Sequence, residues 1–335
     1  MALTQLADLG NHEVTQLAGY SINQFPRRSR LSQLGVFRRD PVYDAVAGSL
    51  SKTVQFQNWN FPANVRSTPG SDDPTQKIVP YKATTGETTV ARHVRNIAFA
   101  EADIVAEFAG QSFLDSIVNY DATVWANEIE YMAITGAMAM LDAAGAAFTY
   151  NASVTTGTIQ PSNRISNDNL LNTIHKVGEG FRAYTKVVMH SRVYRTLQGL
   201  NLITSIPGSE GNANVGRYLG QFDVSFSDQL PVVETVPNFP VSPILIMPAA
   251  GIGLGISPLV KGRPLEYVRD GLAGNGSGVE TVVSRRKFAV GMRGVNFVGT
   301  IAGGTPTDAE WTDEDSFELA DGVTDIGILR LWVNV

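Results

Sequence analysis

Between Phe113 and Ala144 the chain reads FLDSIVNYDATVWANEIEYMAITGAMAMLDAA, with no proline and one internal glycine, Gly136. Apolar or small residues recur at Val118, Ala122, Trp125, Ile129, Met132, Gly136 and Met140. Steps of three and four place them on one face of an α-helix. Val124, Tyr131, Met138 and Leu141 form a second apolar row well round from the first, so most of the circumference is expected to be covered. At 1.5 Å per residue the helix would run roughly 45–50 Å, far beyond the average of about 11–12 residues. A helix of that length is a strut, a bundle member, a coiled-coil arm or a long buried helix, and the rest of the chain must be arranged around it. The face-forming residues Trp125, Ile129, Met132 and Met140 are its expected packing positions.

The chain has 335 residues, enough for two compact domains or one elaborated one. Charged residues make up only 17%, against 32 glycines and 16 prolines. That balance implies many turns and a large surface covered by something other than water. A net charge of −6 argues against nucleic-acid binding through whole-molecule charge, but leaves room for a local basic patch. Cysteine is absent, which excludes thiol catalysis, disulfide frameworks and cysteine-based zinc sites. The opening MALTQLADLGNHEV lacks a basic and apolar leader, and no apolar run reaches the roughly 20 residues that span a bilayer. The expectation is a soluble, non-secreted product with no membrane partner.

Residues 1–45 show little core-like periodicity and hold a basic cluster, Arg27, Arg28, Arg30, Arg38 and Arg39. Such a segment is either an arm facing nucleic acid or an acidic partner, or a solvated extension with incidental charge. From Leu50 to Ala98 the text turns to strand chemistry: TVQFQNWNF and ETTVARHVRNIAF alternate around ANVRSTPGSDDPTQKI, whose composition is that of a turn or loop. The pattern predicts an extended hairpin with a polar tip carrying Arg66, Asp72, Asp73 and Lys77. An isolated two-stranded ribbon is barely stable in water, so a neighbouring subunit is its natural support. Glu101–Ala109 predicts a short helix closed by Gly110, and Asp168 an N-cap for a helix through Leu171, Ile174, Val177 and Phe181. KVVMHS, YLGQFDVSFSDQLP and SPILIMPAAGIGLGI read as strands, with RVYRTLQGLNLI a helix between the first two. PLEYVRD and ETVVSRRKFAVGM form a hairpin around GLAGNGSGV, and an acidic stretch leads to a strongly apolar last strand.

No constellation for catalysis emerges. His12, His93, His175 and His190 have no metal-ligand spacing. His190 precedes Ser191 at a strand end, but there is no nucleophile elbow, and a lone histidine there is far more often structural. Gly251, Gly253 and Gly255, and the Gly274–Gly278 loop, look like phosphate-binding glycines. The dinucleotide fingerprint, however, runs from glycine turn into helix, whereas Gly278 leads into a strand. Asp72 with Asp73, and Asp313 to Asp315, are paired carboxylates in polar turns with no sign of the burial that acid–base work needs. The sequons at Asn151 and Asn275 carry no meaning without a secretory signal. No cofactor, metal or catalytic residue is expected, and a hydrolase or transferase finds no candidate residues.

Taken in order, EADIVAEFAGQSFLDSIV with TVWANEIEYMAITGAMAML, then VVMHSRVYRTLQGLNLI with VGRYLGQFDVSFSDQLP, then PLEYVRDGLAGNGSGVETVVSRRKFAVGMRGVNF, and the ending PTDAEWTDEDSFELADGVTDIGILRLWVN resemble the major capsid proteins of tailed bacteriophages. The resemblance covers the chain from about Val54 onward. It implies an α+β, Hong Kong 97-like capsid fold: an N-arm (1–45), an E-loop (46–98), a peripheral domain (99–184 and 265–303) with a spine helix at about 113–144, and an axial domain (185–264 and 304–335). It further implies self-association as hexamers and pentamers into an icosahedral shell enclosing double-stranded DNA. The partners would be a separate scaffolding protein, a portal and a decoration protein, with non-specific contact to the packaged DNA. The location would be the virion, and the host cytoplasm during assembly. The alternative within the same fold is an encapsulin-type nanocompartment with protein cargo. A tail component or adhesin, forming fibres, tubes or rings, belongs to another class. Some family members crosslink through a Lys–Asn isopeptide bond. Lys52, Lys77 and Lys82 lie in or near the E-loop, but the sequence identifies no partner asparagine or catalytic glutamate, so that chemistry is not inferred.

Overall fold

The computed structural model describes residues 29–60, 65–104, 107, 117–205, 216–257, 264–292, 294–320 and 326–335. The described chain enters through α1 (Arg30–Leu34), with Ser29 as N-cap accepting from the Ser32 amide and Gly35 in the left-handed region (φ 78°) ending it. Strand β1 (Phe37–Arg39) comes next, then α2 (Pro41–Gly48), opened by Asp40, which accepts from the Val42 amide, and by Pro41 at the first helical position.

β2 (Thr53–Asn60) and β3 (Thr84–Ala102) pair antiparallel from Thr53↔Ala91 to Asn60↔Thr84, as the alternating pattern predicts. The ribbon does not stand alone. The other edge of β3 pairs along Ala102↔Val279 to Arg92↔Ala289 with a long strand from late in the chain, so its base is anchored in its own subunit. Among the described residues, 65–83 beyond it have no ladder partner. The same ladder corrects the expectation for Glu101: it and Ala102 are strand, because Glu280 and Val279 supply ready backbone partners. Helix begins only at Asp103, and 108–110, with the expected C-terminal glycine, lie outside the described residues.

The long helix α3 (Ile117–Ala144) spans 28 residues, about 42 Å; 113–116 lie outside the described residues. Ala122, Trp125, Ile129, Met132 and Met140 are buried, and so are Ala126, Ala133, Ile134, Ala137 and Leu141 from other faces. The helix is therefore the axis of the core, touched on most sides.

Next come β4 (Thr149–Asn151), α4 (Asn167–Ile174), β5 (Tyr184–Met189), α5 (Ser191–Gly199), β6 (Ile203–Ser205), β7 (Gly216–Tyr218), β8 (Phe222–Phe226) and β9 (Val241–Pro248). The N-cap of α4 is Ser166, whose Oγ accepts from the Asn169 amide, and Asp168 sits in the first turn. The continuous helix expected through Phe181 ends at Ile174, because a 3-10 segment, His175–Ala183, breaks at Gly178 (φ 70°).

β10 (Ile252–Ser257), β11 (Leu265–Asp270), β12 (Val279–Met292), β13 (Val295–Phe297), α6 (Asp308–Thr312), β14 (Phe317–Leu319) and β15 (Leu329–Asn334) complete the chain. Two main sheets result. One has the order β1-β10-β12-β3-β2, with β11 also on β12; the other runs β4-β15-β9-β5-β8-β7-β6. Most pairings are antiparallel, but β1 with β10, β4 with β15 and β5 with β8 are parallel. Helices and mixed sheets segregated this way make an α+β architecture. β10 pairs with β12 (Ile252↔Met292), so it belongs to the sheet of the hairpin and not to that of β9. The C-terminal part also divides: α6 and β14 pack on α3 and β13, while β15 runs beside β9.

The glycines of β10 explain themselves in this arrangement. A Cβ at Gly253 or at Gly291 of β12 would collide with the Tyr43 ring of α2, and one at Gly255 with the Tyr43 backbone. They are cut back for a helix to lie on the sheet, which is packing and not phosphate binding. The Gly274–Gly278 loop is the tip of the β11–β12 hairpin, with Gly274, Asn275, Gly276 and Gly278 all at positive φ.

Candidate assembly surfaces

The tip of the hairpin is the part of the described chain least attached to the rest. Every residue from Val65 to Lys82 is exposed, including Ile78 at 74% and Val79 at 80%. Its internal order is local. Asp73 accepts from the Thr75 amide (2.9 Å) and hydroxyl (2.7 Å), which hold its carboxyl below the usual range. Tyr81 accepts from the Arg66 amide and donates to the Arg66 carbonyl. Arg66, Asp72, Asp73 and Lys77 thus all sit on this exposed stretch. Pro69, Gly70 and Pro74 disfavour pairing along it, and its apolar residues are not covered by the described part of the chain.

The basic cluster is not one patch among the described residues. Arg27 and Arg28 lie outside them. Arg30 places its guanidinium 4.7 Å from the Phe226 ring centroid and donates to the Phe226 carbonyl. Arg38 pairs with Asp40 (3.2 Å) and Arg39 with Asp44 (3.4 Å); the other Asp44 oxygen accepts from the Ile256 amide. Arg38 and Arg39 are therefore in ion pairs exposed enough to stabilise little, while Arg30 acts on the Glu130 and Asp228 carboxylates without a direct ion pair.

The segment at Ser29–Leu34 is tied to the long helix by a residue that the pattern of apolar positions does not reveal. Glu130, buried on α3, accepts from the Ser29 hydroxyl (2.7 Å) and the Leu31 amide (3.0 Å) through one oxygen. Burial pushes its carboxyl up, partly offset by these donors. Leu31 and Leu34 are buried beside it. A second buried polar group joins α3 to β12: Asp121 accepts from Arg286 (2.7 Å) and from the Trp125 indole (3.0 Å), which also donates to Ser284 (2.9 Å). The spine positions Trp125, Ile129, Met132 and Met140 thus lie within the subunit's own core.

Several other titratable groups among the described residues serve packing, capping or turns. His190 caps α5, its Nδ1 accepting from the Arg192 amide (3.1 Å). His93 is fully buried, stacked on Phe288 and edge-on to Trp311, with both ring nitrogens unpaired; desolvation, aided by Arg95, lowers its pKa to about 3. The Asp313–Asp315 run forms a turn in which Asp313 accepts from the Asp315 amide. Lys52 donates to the Ile301 carbonyl (2.8 Å). No group of three or more potential metal ligands occurs among the described residues, and no helix among them is long and apolar enough to cross a membrane.

No protein-family model matches the sequence, and no curated protein does. Solved structures do. The chain is similar to the capsid of Ralstonia phage GP4, with a TM-score of 0.58 at 10% identity over 91% of this chain and 88% of that one. The cyanophage Pam1 capsid matches with a TM-score of 0.57 at 11% identity over 92% of both chains. A chain of Microbacterium phage Oxtober96 matches with a TM-score of 0.50 at 10% identity, over 89% and 90%. The fold is thus the Hong Kong 97-like α+β fold of phage capsid proteins, carried by a sequence that shares about one residue in ten with them.

Proposed function

We propose that this chain is the structural subunit of an icosahedral shell that encloses phage double-stranded DNA. The observation that carries the reading, beside the capsid fold, is the stretch from Val65 to Lys82. It leaves the body as a long exposed arm, with Ile78, Val79 and Tyr81 unburied. Apolar residues on an unsupported arm cost free energy in water, and a second copy of the chain supplies the cover that a shell requires. The low charge and high glycine content agree with a subunit largely enclosed by copies of itself. The work is mechanical: the chain binds neighbours and resists deformation.

In this reading the sheet of β3 and β12, with α3, is the peripheral domain, and the sheet of β9 and β15 is the axial domain at capsomer centres. β10 then belongs to the peripheral part. Hexamers and pentamers are the capsomers, and a scaffolding protein, portal and decoration protein are external partners. The shell sits in the virion after assembly in the host cytoplasm.

Electron microscopy of the protein, expressed alone and with its neighbouring genes, tests this. Closed icosahedral particles or capsomer rings are expected, with nuclease-protected DNA inside particles from infected cells. Small discrete oligomers under every condition overturn the reading. Particles filled with protein cargo convert it to a nanocompartment.

A further inference from the structure

The body of the protein carries an open groove of about 470 Å³ lined by Ser191, Arg192, Tyr194, Arg195, Gln198 and Phe226. Its chemistry differs from the rest of this acidic chain. Arg192 and Arg195 stand three apart on α5, hence on one face, while Val193 and Leu197 take the buried side. Both arginines are exposed. Neither side chain has an ion-pair partner among the described residues, whereas the described arginines elsewhere commonly do, as at Arg38, Arg95, Arg217, Arg269 and Arg330. At the margin, Arg30 lies over the Phe226 ring. The nearby carboxylate, Asp228, is already engaged. A hydrogen bond from Ser191 is the main reason its carboxyl stays below the usual range, and His190 lies 3.7 Å away.

We infer that this groove is a contact site for the sugar–phosphate backbone of nucleic acid, held by Arg192 and Arg195 with Arg30 at its edge. The inference rests on the shell reading only for the source of the nucleic acid, the packaged genome. Guanidinium groups bind phosphate through paired N–H donors. The Tyr194 and Phe226 rings pack on each other 5.1 Å apart, and with Arg30 over Phe226 they form a fixed apolar floor between the cations. The chain's own N-terminal segment fits less well as occupant: residues 1–28 carry only Asp8 and Glu13 as acids, against Arg27 and Arg28. Burial of uncompensated arginines under a neutral partner would be costly, and a polyanion removes that cost. The site is local, which reconciles it with a net charge of −6.

The test is fluorescence anisotropy of the purified chain with a labelled DNA duplex of random sequence, across roughly 50–200 mM salt. Arg192→Glu with Arg195→Glu should weaken binding by about tenfold or more, and should lower the slope of log affinity against log salt by about 2, near one unit per phosphate contact. Arg192→Gln with Arg195→Gln, which spares the fold from charge reversal, should lower the slope equally. Arg164→Glu, an exposed arginine outside the groove, should leave both quantities as in the parent. Unchanged slope in the double variants, equal loss in Arg164→Glu, or displacement of the duplex by polyglutamate of matched charge would each overturn the inference. Particle formation, monitored by microscopy on the same variants, is expected to be unaffected. Its loss would count against the shell reading's separation from this site, whereas a changed slope with intact particles supports the groove alone.

Discussion

The indole of Trp311 lies against the one position of the long helix that has no side chain. A Cβ at Gly136 would sit 2.5 Å from Trp311 Cζ2 and 2.8 Å from its Nε1. That Nε1 donates to the Met132 carbonyl (2.8 Å), one turn earlier on the same helix. His93, Phe297 and Phe317 surround the ring at centroid distances of 4.4, 6.0 and 5.2 Å, so it has nowhere to retreat. Gly136 is a notch cut in α3 to admit α6.

Gly136→Ala therefore sets two effects against each other. Alanine favours helix over glycine by about 1 kcal/mol, but overpacking against a fixed ring costs about 1–3 kcal/mol. The expected net is a loss of up to about 2 kcal/mol, visible as a lower urea midpoint of the unassembled subunit. A midpoint equal to or above the parent's would mean that α6 moves away freely.

The sequence makes the helix legible because its period is visible and uninterrupted, and β2 and β3 because they alternate. It leaves the partners of these elements hidden. Glu101 reads as a helix start, yet it pairs with Glu280 in β12, nearly 180 residues on, and no local pattern records such a pairing. Ser166, not Asp168, caps α4 because both residue types accept from an amide and the backbone decides between them. Glu130 looks like a surface charge within an apolar repeat, and only the arrival of Ser29 and Leu31 explains its burial. The glycines of β10 carry a superficial phosphate-loop spacing, and their cause, Tyr43, is 210 residues upstream of Gly253. Local periodicity is written in the chain; long-range contacts are not.

Asp121 and Arg286 are both nearly inaccessible and joined at 2.7 Å. Removing one partner strands the other's charge in the core. Asp121→Ala is expected to cost about 3–5 kcal/mol, while Asp121→Leu combined with Arg286→Met should recover most of it. Trp125→Asp, which sets a second carboxylate beside Asp121 and deletes the indole donor to Ser284, should abolish soluble folded protein. A double-mutant cycle on the Asp121–Arg286 pair, with near-additive losses, would show that the pair carries no coupling.

His93 and Glu130 give acid stability opposite signs. The folded pKa of His93 is about 3 against an ordinary 6.5, so the native state holds fewer protons between those values. Its contribution is complete above pH 6.5 and is lost as pH falls towards 3, by several kcal/mol in total. Glu130 is raised, so its burial penalty is relieved as pH falls through its folded value towards its ordinary 4.5. His93→Leu should flatten the acid limb of a urea-midpoint profile, and Glu130→Gln should steepen it. An unchanged limb in His93→Leu would show that the ring is hydrated or paired in solution.

The arm allows the sharpest separation of folding from assembly. Val65 to Lys82 is exposed throughout and makes none of the ladder bonds of β2 and β3, so deleting Arg66–Lys77 removes almost nothing from the subunit's own core. The base of the hairpin remains paired with β12, and loop shortening costs little chain entropy. The shortened protein is expected to keep its circular dichroism spectrum and a urea midpoint close to the parent's. Shell formation should be lost, because Ile78, Val79 and Tyr81 no longer reach a neighbour. Particles of normal size and stability from the deletion would show that the arm does not clamp adjacent subunits, whereas loss of the folded subunit itself would show that the arm folds back on its own body.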